Sequence, residues 1–160
     1  MTQEEFKKLF DTYFDLVRNY VYYRSGDENL ATDIAQETFM KIWEKKLKPD
    51  HKKEKGLLFK IAGDLFVSRY RKKQLELKFA SNHREEYESD TPEEMLQYSE
   101  LSEKYEKALK ELDDKKRVVF LMSRNDGLSY KEIAQHLEIS VKAVEKRMNK
   151  ALNHLKIKLQ

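Results

Sequence analysis

The chain has 160 residues, of which 32 are basic and 29 acidic, so its net charge is only +3. This length suits one domain or two small ones and argues against a large catalytic core. The absence of cysteine excludes disulfides, thiolate zinc sites and cysteine nucleophiles. Four glycines and two prolines are too few for the tight turns of a sandwich or barrel. The composition therefore predicts an all-α protein.

Three helices are predicted in the first half of the chain. Apolar residues recur at spacings of three and four over residues 3–24, and Ser25-Gly26-Asp27 ends this helix. Asp27 is the expected N-cap of a second helix that runs to about Lys46. The apolar side chains expected to face the core from this helix are Leu30, Ile34, Ala35, Phe39, Ile42 and Trp43. A basic loop over residues 48–56 precedes a third helix, predicted to start at Leu57 and to end in the basic run 69–73.

The small net charge conceals three blocks of opposite sign. Residues 1–73 carry a net charge of +4, residues 74–114 carry −8, and residues 115–160 carry +7. Residues 85–94 contain six acidic side chains and almost nothing apolar, so they cannot bury enough surface to fold alone. We therefore predict two small helical domains, 1–75 and 100–160, joined by an acidic flexible linker, 76–99. Two basic ends suggest a shared polyanionic partner, although a charge run can also be a solvated face.

Four helices are predicted after the linker. Leu101, Tyr105, Leu109 and Leu112 mark one helix, and Asp113 or Asp114 can cap the next, which closes at Asn125-Asp126-Gly127. Ser129 and Glu132 form a capping box for a short helix that ends at His136. A turn over residues 137–139 leads to Ser140, the N-cap of a final helix over residues 141–159. The side chains expected to face the core from this last helix are Val144, Met148, Ala151, Leu152 and Leu155. These parts make a helix-turn-helix.

The final helix carries the most specific signal for function. Its predicted outer face holds side chains that bond base edges or phosphates: Lys142, Glu145, Lys146, Asn149 and Lys150. The helix N-termini at Ser129 and Ser140 can also present amides to phosphates. The alternative is a solvated basic helix in an ordinary bundle.

Two further surfaces are candidates for binding. Around the third helix, basic residues lie near Phe59, Phe66 and Tyr70, a mixture suited to single-stranded bases, although these aromatics can equally belong to the core. The second helix has a polar, acidic outer stripe that would repel nucleic acid and therefore suits a protein contact, with a solvated face as the alternative. Its residues are Asp33, Gln36, Glu37, Met40, Lys41 and Glu44.

Three segments resemble, in order and spacing, bacterial sigma factors of the extracytoplasmic-function group. They are residues 33–43 (DIAQETFMKIW), 59–65 (FKIAGDL) and 127–134 (GLSYKEIA). The resemblance implies two helical domains that give core RNA polymerase its promoter choice, and a threading role for the acidic linker. It also implies a bacterial, cytoplasmic protein without a cofactor or enzyme activity, and an anti-sigma factor as a regulatory partner.

The resemblance assigns three sets of residues. Contact with the clamp helices of the largest polymerase subunit is implied for Asp33, Gln36, Glu37, Met40 and Lys41. Contact with the minus-ten element is implied for Lys52, Lys53, Lys55, Lys60, Asp64, Ser68, Arg71 and Lys72. Contact with the minus-thirty-five element is expected for Ser129, Tyr130, Ser140, Lys142, Glu145, Lys146, Asn149 and Lys150.

Two other functions remain open from the sequence. A stand-alone helix-turn-helix regulator would bind duplex DNA without polymerase and would leave the acidic stripe unused. An enzyme acting on nucleic acid would need paired carboxylates, a metal cluster or a glycine-rich phosphate loop, and the sequence offers none of these patterns.

Overall fold

The computed structural model describes residues 1–47, 54–79 and 100–160. All regular structure in these parts of the chain is helical, which confirms the all-α class. The helices are α1 (Gln3–Ser25), α2 (Glu28–Glu44), α3 (Glu54–Phe79), α4 (Glu100–Glu111), α5 (Asp114–Arg124), α6 (Tyr130–Leu137) and α7 (Val141–Leu159). Not one of them has the length and apolar character needed to cross a bilayer. Lys52, Lys53 and residues 80–99 of the predicted linker lie outside the described residues.

Helices α1, α2 and α3 form a first module around a cluster of aromatic rings. Phe39 of α2 is 2% exposed, and its ring lies 6.3 Å from Phe6, 5.1 Å from Phe10 and 5.9 Å from Phe14 of α1, measured between centroids. Such ring pairs add to the energy of apolar burial. α3 closes the module with buried side chains that include Leu58.

Local signals at the helix ends agree with the predicted boundaries of α1 and α2. Gly26 ends α1 in the left-handed conformation (φ +70°), which costs glycine least. Asp27 then accepts a hydrogen bond of 3.1 Å from the Leu30 amide and so caps α2.

Helix α3 is longer at both ends than the sequence predicted. It begins at Glu54, inside the predicted basic loop, and continues to Phe79, past the predicted end at residues 69–73 and into the predicted linker. Residues 70–78 are all exposed, so no apolar stripe marks this part of the helix. The extension consists mostly of Lys, Leu, Glu and Gln, which favour helix without burial.

Helices α4 to α7 form a second module with an aliphatic core. Val119, Met122, Ile133 and Val144 are completely buried there. Asp113, rather than Asp114, caps α5 by accepting a hydrogen bond from the Lys116 amide. The short helix α6, the turn and α7 form the predicted helix-turn-helix.

Some predicted core positions lie at the surface. Trp43 is 41% exposed and Leu152 is 46% exposed, so their inward placement was wrong. Leu101 lies in α4 as predicted but is 60% exposed. A helical stripe identifies which positions are apolar. It does not show whether a neighbouring helix extends far enough to cover them. Trp43, near the end of α2, is covered mainly from one side, where the Phe6 ring lies 5.0 Å away.

The two modules pack directly against each other. Helix α1 contacts α5, and α3 contacts α6, so the helix-turn-helix rests on the first module. The sequence had predicted two modules but not this contact.

Candidate functional site

Helix α7 presents the predicted recognition surface to solvent. The five side chains on its outer face are exposed: Lys142, Glu145, Lys146, Asn149 and Lys150. Val144 and Met148 pack inward and fix the rotation of the helix. Ser140 caps its N-terminus by accepting a hydrogen bond of 3.0 Å from the Ala143 amide. A basic face with one amide and one carboxylate is therefore free to enter a groove of DNA.

Helix α6 begins with the predicted capping box. The Ser129 hydroxyl accepts from the Glu132 amide at 3.1 Å, and the Glu132 carboxylate accepts from the Ser129 amide at 3.2 Å. Hydrogen bonds from the backbone amide and then the side chain of Ser129 lower the pKa of Glu132, because they favour its charged carboxylate. Ser129 is exposed and Tyr130 is half-buried, so the hydroxyl groups at this helix start remain near the surface.

The stripe on α2 is also exposed. Asp33, Gln36 and Met40 face solvent, Lys41 is half-buried, and Glu37 forms an ion pair with Arg69 of α3. Beside the stripe lies a shallow cavity of about 380 Å³ with an almost entirely apolar wall. Its lining residues are Gln3, Phe6, Met40, Trp43 and Glu44. This surface offers a protein partner both acidic and apolar contacts.

Most of the residues predicted to contact the minus-ten element lie on helix α3. Lys60, Asp64, Ser68, Arg71 and Lys72 are exposed, whereas Lys55 is half-buried. The neighbouring aromatics divide into two groups. Phe59 and Phe66 are buried in the core, and Tyr70, 53% exposed, is available to stack on a base.

A guanidinium from the second module caps the end of α1. Arg117 of α5 donates to the backbone oxygens of Tyr23 at 2.6 Å and Arg24 at 2.9 Å. It also donates to the oxygen of Leu112 at 3.0 Å, just past the end of α4. These carbonyls lack partners within their helices, and a cation is favourable at a helix C-terminus. One side chain therefore ties together helix ends from both modules.

A second polar contact joins α1 to the end of α5. Asp126 accepts from the Tyr23 hydroxyl at 2.9 Å and from the Asn19 amide at 3.1 Å. Burial raises the pKa of Asp126, although both hydrogen bonds oppose that shift. Nearby, Arg24 and Asp114 form an ion pair of 2.9 Å between the modules. Each of these contacts links residues distant in sequence.

The third contact seats the helix-turn-helix on α3. The imidazole of His136 stacks on the Phe59 ring at 4.8 Å between centroids. Burial, followed by the nearby charge of Lys55, lowers the pKa of His136 to about 4, so this ring is neutral near pH 7. Beside the stack lies a cleft of about 350 Å³ between α3 and the turn, with Lys60 and Asp64 on one wall and Glu138 on the other.

Sequence reasoning missed the residues that join the modules. Arg117, Asp126 and His136 carry no sequence signal for a contact between modules, and their partners come from the first module. Helical periodicity reports only which face of one helix is buried, so it gives no signal for a contact between modules.

Two family descriptions match the chain and together cover most of it. "Sigma-70 region 2" matches residues 9–76, and "Sigma-70, region 4" matches residues 102–155. These ranges correspond to the first and second modules described above.

Full-length relatives carry consistent names. The chain is 28% identical to the ferric citrate uptake sigma factor FecI of Escherichia coli, over 93% of this chain and 87% of that protein. It is 29% identical to the ECF RNA polymerase sigma factor SigW of Bacillus subtilis, over 99% and 90% respectively. Among solved structures, the sigma factor RpoE of Bartonella quintana, crystallised with the anti-sigma factor NepR, aligns with a TM-score of 0.65 and 22% identity. That alignment covers 98% of this chain and 97% of the other, and it supports the fold.

Proposed function

The chain belongs to the sigma-70 family of transcription initiation factors, in the extracytoplasmic-function group, and we propose how its surfaces divide the work of promoter recognition. Sigma factors bind core RNA polymerase and promoter DNA. The observation that carries our proposal is the presence, in one chain, of an exposed acidic stripe on α2 and an exposed basic face on the helix-turn-helix. The first suits a protein and the second suits DNA, which separates this chain from a regulator that binds DNA alone.

We assign the α2 stripe to core polymerase. Gln36, Glu37 and Met40, with Asp33 and Lys41 beside them, would contact the clamp helices of the largest subunit. The apolar cavity between Phe6 and Trp43 adjoins this stripe and extends the docking surface. Acidic side chains here would disfavour nucleic acid and so keep the stripe for a protein partner.

We assign promoter contacts to the other two surfaces. Helix α3 would meet the minus-ten element and its melted strand through Lys55, Lys60, Asp64, Ser68, Arg71 and Lys72, with Lys52 and Lys53 just before it. Tyr70 can stack on an unpaired base, which helps to offset the few kcal/mol needed to unstack it. Helix α7 would contact the minus-thirty-five element in the major groove, and the amides at Ser129 and Ser140 would contact phosphates.

The proposed activity is binding without covalent chemistry or a cofactor, in the bacterial cytoplasm with the polymerase. We further propose an anti-sigma factor as the regulatory partner. This proposal is supported by the Bartonella quintana relative, which was crystallised with such a protein.

In vitro transcription tests the function directly. The chain is added to core RNA polymerase of its source organism with a library of that organism's promoters. We expect run-off transcripts from a small subset of promoters, and only when the chain is present. An absence of transcripts from the entire library would contradict the proposal.

A pull-down with core polymerase tests the α2 assignment. We expect the double variant Gln36→Ala/Glu37→Ala to lose at least about tenfold in affinity. The matched control is Arg69→Ala, which breaks the same ion pair with Glu37 but leaves the stripe intact. Equal losses in the two variants would show that the ion pair, rather than the stripe, matters. Thermal unfolding of both variants checks that the fold is retained.

A further inference from the structure

One acidic side chain lies on the basic outer face of α7. Glu145 is exposed, and its neighbours on this face are Lys142, Lys146 and Asn149. Phosphates repel a carboxylate, so an acid on a surface that contacts DNA weakens binding to every sequence alike. Its presence in the second turn of this helix therefore requires a compensating role.

Among the described residues, no contact gives this carboxylate a role in the fold. Ser140 already caps α7, and the first turn of the helix contains no acidic residue. Glu145 thus lies beyond the turn in which the helix dipole favours negative charge. It forms no ion pair or hydrogen bond with another described residue, although Lys142 is only three positions before it. Its two oxygens are therefore available to a ligand.

The outer face of α7 consists of two parallel rows of exposed side chains. Residues four apart lie above one another on a helix. The first row is Lys142, Lys146 and Lys150, and the second is Glu145, Asn149 and Asn153. The lysine row suits phosphates, which carry no sequence information, whereas carboxylate and amide groups suit the donors and acceptors of base edges.

A carboxylate can bond only to a base edge that donates a hydrogen. In the major groove, cytosine presents its N4 amino group, guanine presents two acceptors, and thymine presents an acceptor beside a methyl group. Adenine also has an amino donor, but its N7 acceptor lies beside that group and repels the second carboxylate oxygen. Cytosine is therefore the base that suits Glu145, and guanine and thymine leave its charge without a donor.

The next residue of the same row reads a different base. The Asn149 amide matches adenine, because it can donate to N7 and accept from the N6 amino group. Glu145 and Asn149 are about 6 Å apart along the helix axis, and successive base pairs are about 3.4 Å apart. The two side chains therefore reach bases about two base pairs apart.

We propose that Glu145 selects cytosine in the minus-thirty-five element and that Asn149 selects an adenine about two base pairs from it, while the lysine row contacts phosphates. This assignment rests on the proposed contact of α7 with that element. Selection at the cytosine position acts mainly by rejection, because a desolvated carboxylate facing guanine or thymine has no hydrogen-bond partner.

Selection from randomised duplexes tests the proposal. The full chain is incubated at low salt with duplexes that are randomised over about one helical turn, and the bound duplexes are sequenced after each round. We expect one position at which cytosine is enriched at least about fivefold over guanine and thymine. An adenine should be enriched about two base pairs from it.

Variants then assign each base to a side chain. Glu145→Gln keeps the size of the side chain, and we expect it to replace the cytosine preference with adenine at that position alone, since glutamine matches adenine. Asn149→Ala should relax only the adenine position. The matched control is Glu106→Gln, which makes the same charge change at an exposed position of α4. It should leave the selected sequence unaltered.

A selected site without cytosine, or an unchanged site for Glu145→Gln, would overturn the proposal. So would an equal change at every position, because loss of charge alone acts on all sequences alike. If the change is confined to one position but the chain never stimulates polymerase, the proposed function fails and the cytosine assignment stands. If the chain stimulates polymerase but Glu145→Gln selects the same site, only the cytosine assignment fails.

Discussion

Helices α7 and α3 both carry basic side chains that we propose contact DNA, but they meet solvent in different ways. The outer face of α7 is exposed, and the start of this helix is fixed by the Ser140 cap. The corresponding part of α3 faces a cleft whose other wall is the turn at Glu138. Exposure of individual side chains is therefore not enough to define a nucleic-acid surface, because a strand also needs room along the whole helix face.

The two surfaces therefore differ in what makes them accessible. The α7 surface is accessible once the second module is folded. Access to the α3 surface also depends on how the two modules pack against each other.

The largest effect is expected for loss of the α7 surface. Lys146→Ala/Lys150→Ala should weaken duplex binding about 100-fold and reduce the slope of log affinity against log salt by about two, because each phosphate contact contributes about one. Fluorescence anisotropy at several salt concentrations measures both quantities. The control Lys7→Ala/Lys8→Ala removes two exposed cations of α1, and a similar loss there would mean that binding follows net charge rather than this surface.

The next effect is a pH dependence of stability at His136, where the helix-turn-helix contacts α3. The folded pKa of His136 is about 4, below the ordinary 6.5, so the unfolded chain binds the extra proton first as pH falls. From pH 7 to pH 5 the free energy of unfolding should fall by about 2 kcal/mol from this group. The charged groups acting on it are Lys55 of α3 and Glu132 of its own helix.

Urea unfolding at each pH measures this dependence, with His136→Phe as the comparison because it keeps a ring on Phe59. Asp126 works in the opposite sense, since burial raises its pKa and the folded state then retains the proton. The difference between parent and variant isolates the imidazole. A variant that loses as much stability as the parent between pH 7 and pH 5 would contradict this assignment.

A smaller effect is expected from the cap of α7. Ser140→Ala should lower the free energy of unfolding by about 1 kcal/mol, since the Ala143 amide loses its partner. The control is Ser68→Ala in the middle of α3, where the same change removes no cap and should be nearly neutral. Chemical denaturation of both variants gives the comparison. Equal losses would indicate that the cap contributes nothing specific.

The smallest effect is expected for α3 in the free chain. Lys60→Ala should change DNA affinity by less than about twofold while the modules are docked, because Lys60 lies beside Glu138 in the cleft. In the Asp114→Ala/Asp126→Ala background, which lacks the contacts of these two acids with the first module, the same substitution should weaken single-stranded DNA binding several-fold, through the lost phosphate contact. An equal effect in both backgrounds would remove the distinction drawn between α3 and α7.

Much of each module was predictable because its signals are local. Asp27, Ser129 and Ser140 cap the helices that their positions predicted, and the face of α7 follows from Val144 and Met148 packing inward. Predictions failed at positions that no neighbouring helix covers. The exposed end of α3 has no apolar stripe, and Trp43 and Leu152 belong to stripes that extend past their neighbours.

The sequence by itself determined the order of the helices, most of their caps, the two basic blocks and the family, since these depend on residues within a few turns of one another. The tertiary structure alone decided how the modules meet. Arg117 on the end of α1, Asp126 on Tyr23, and Glu138 on Gly56 join positions that no helical period connects. The physical reason is that a contact between modules depends on the orientation of two completed surfaces, and that orientation exists only after each has folded.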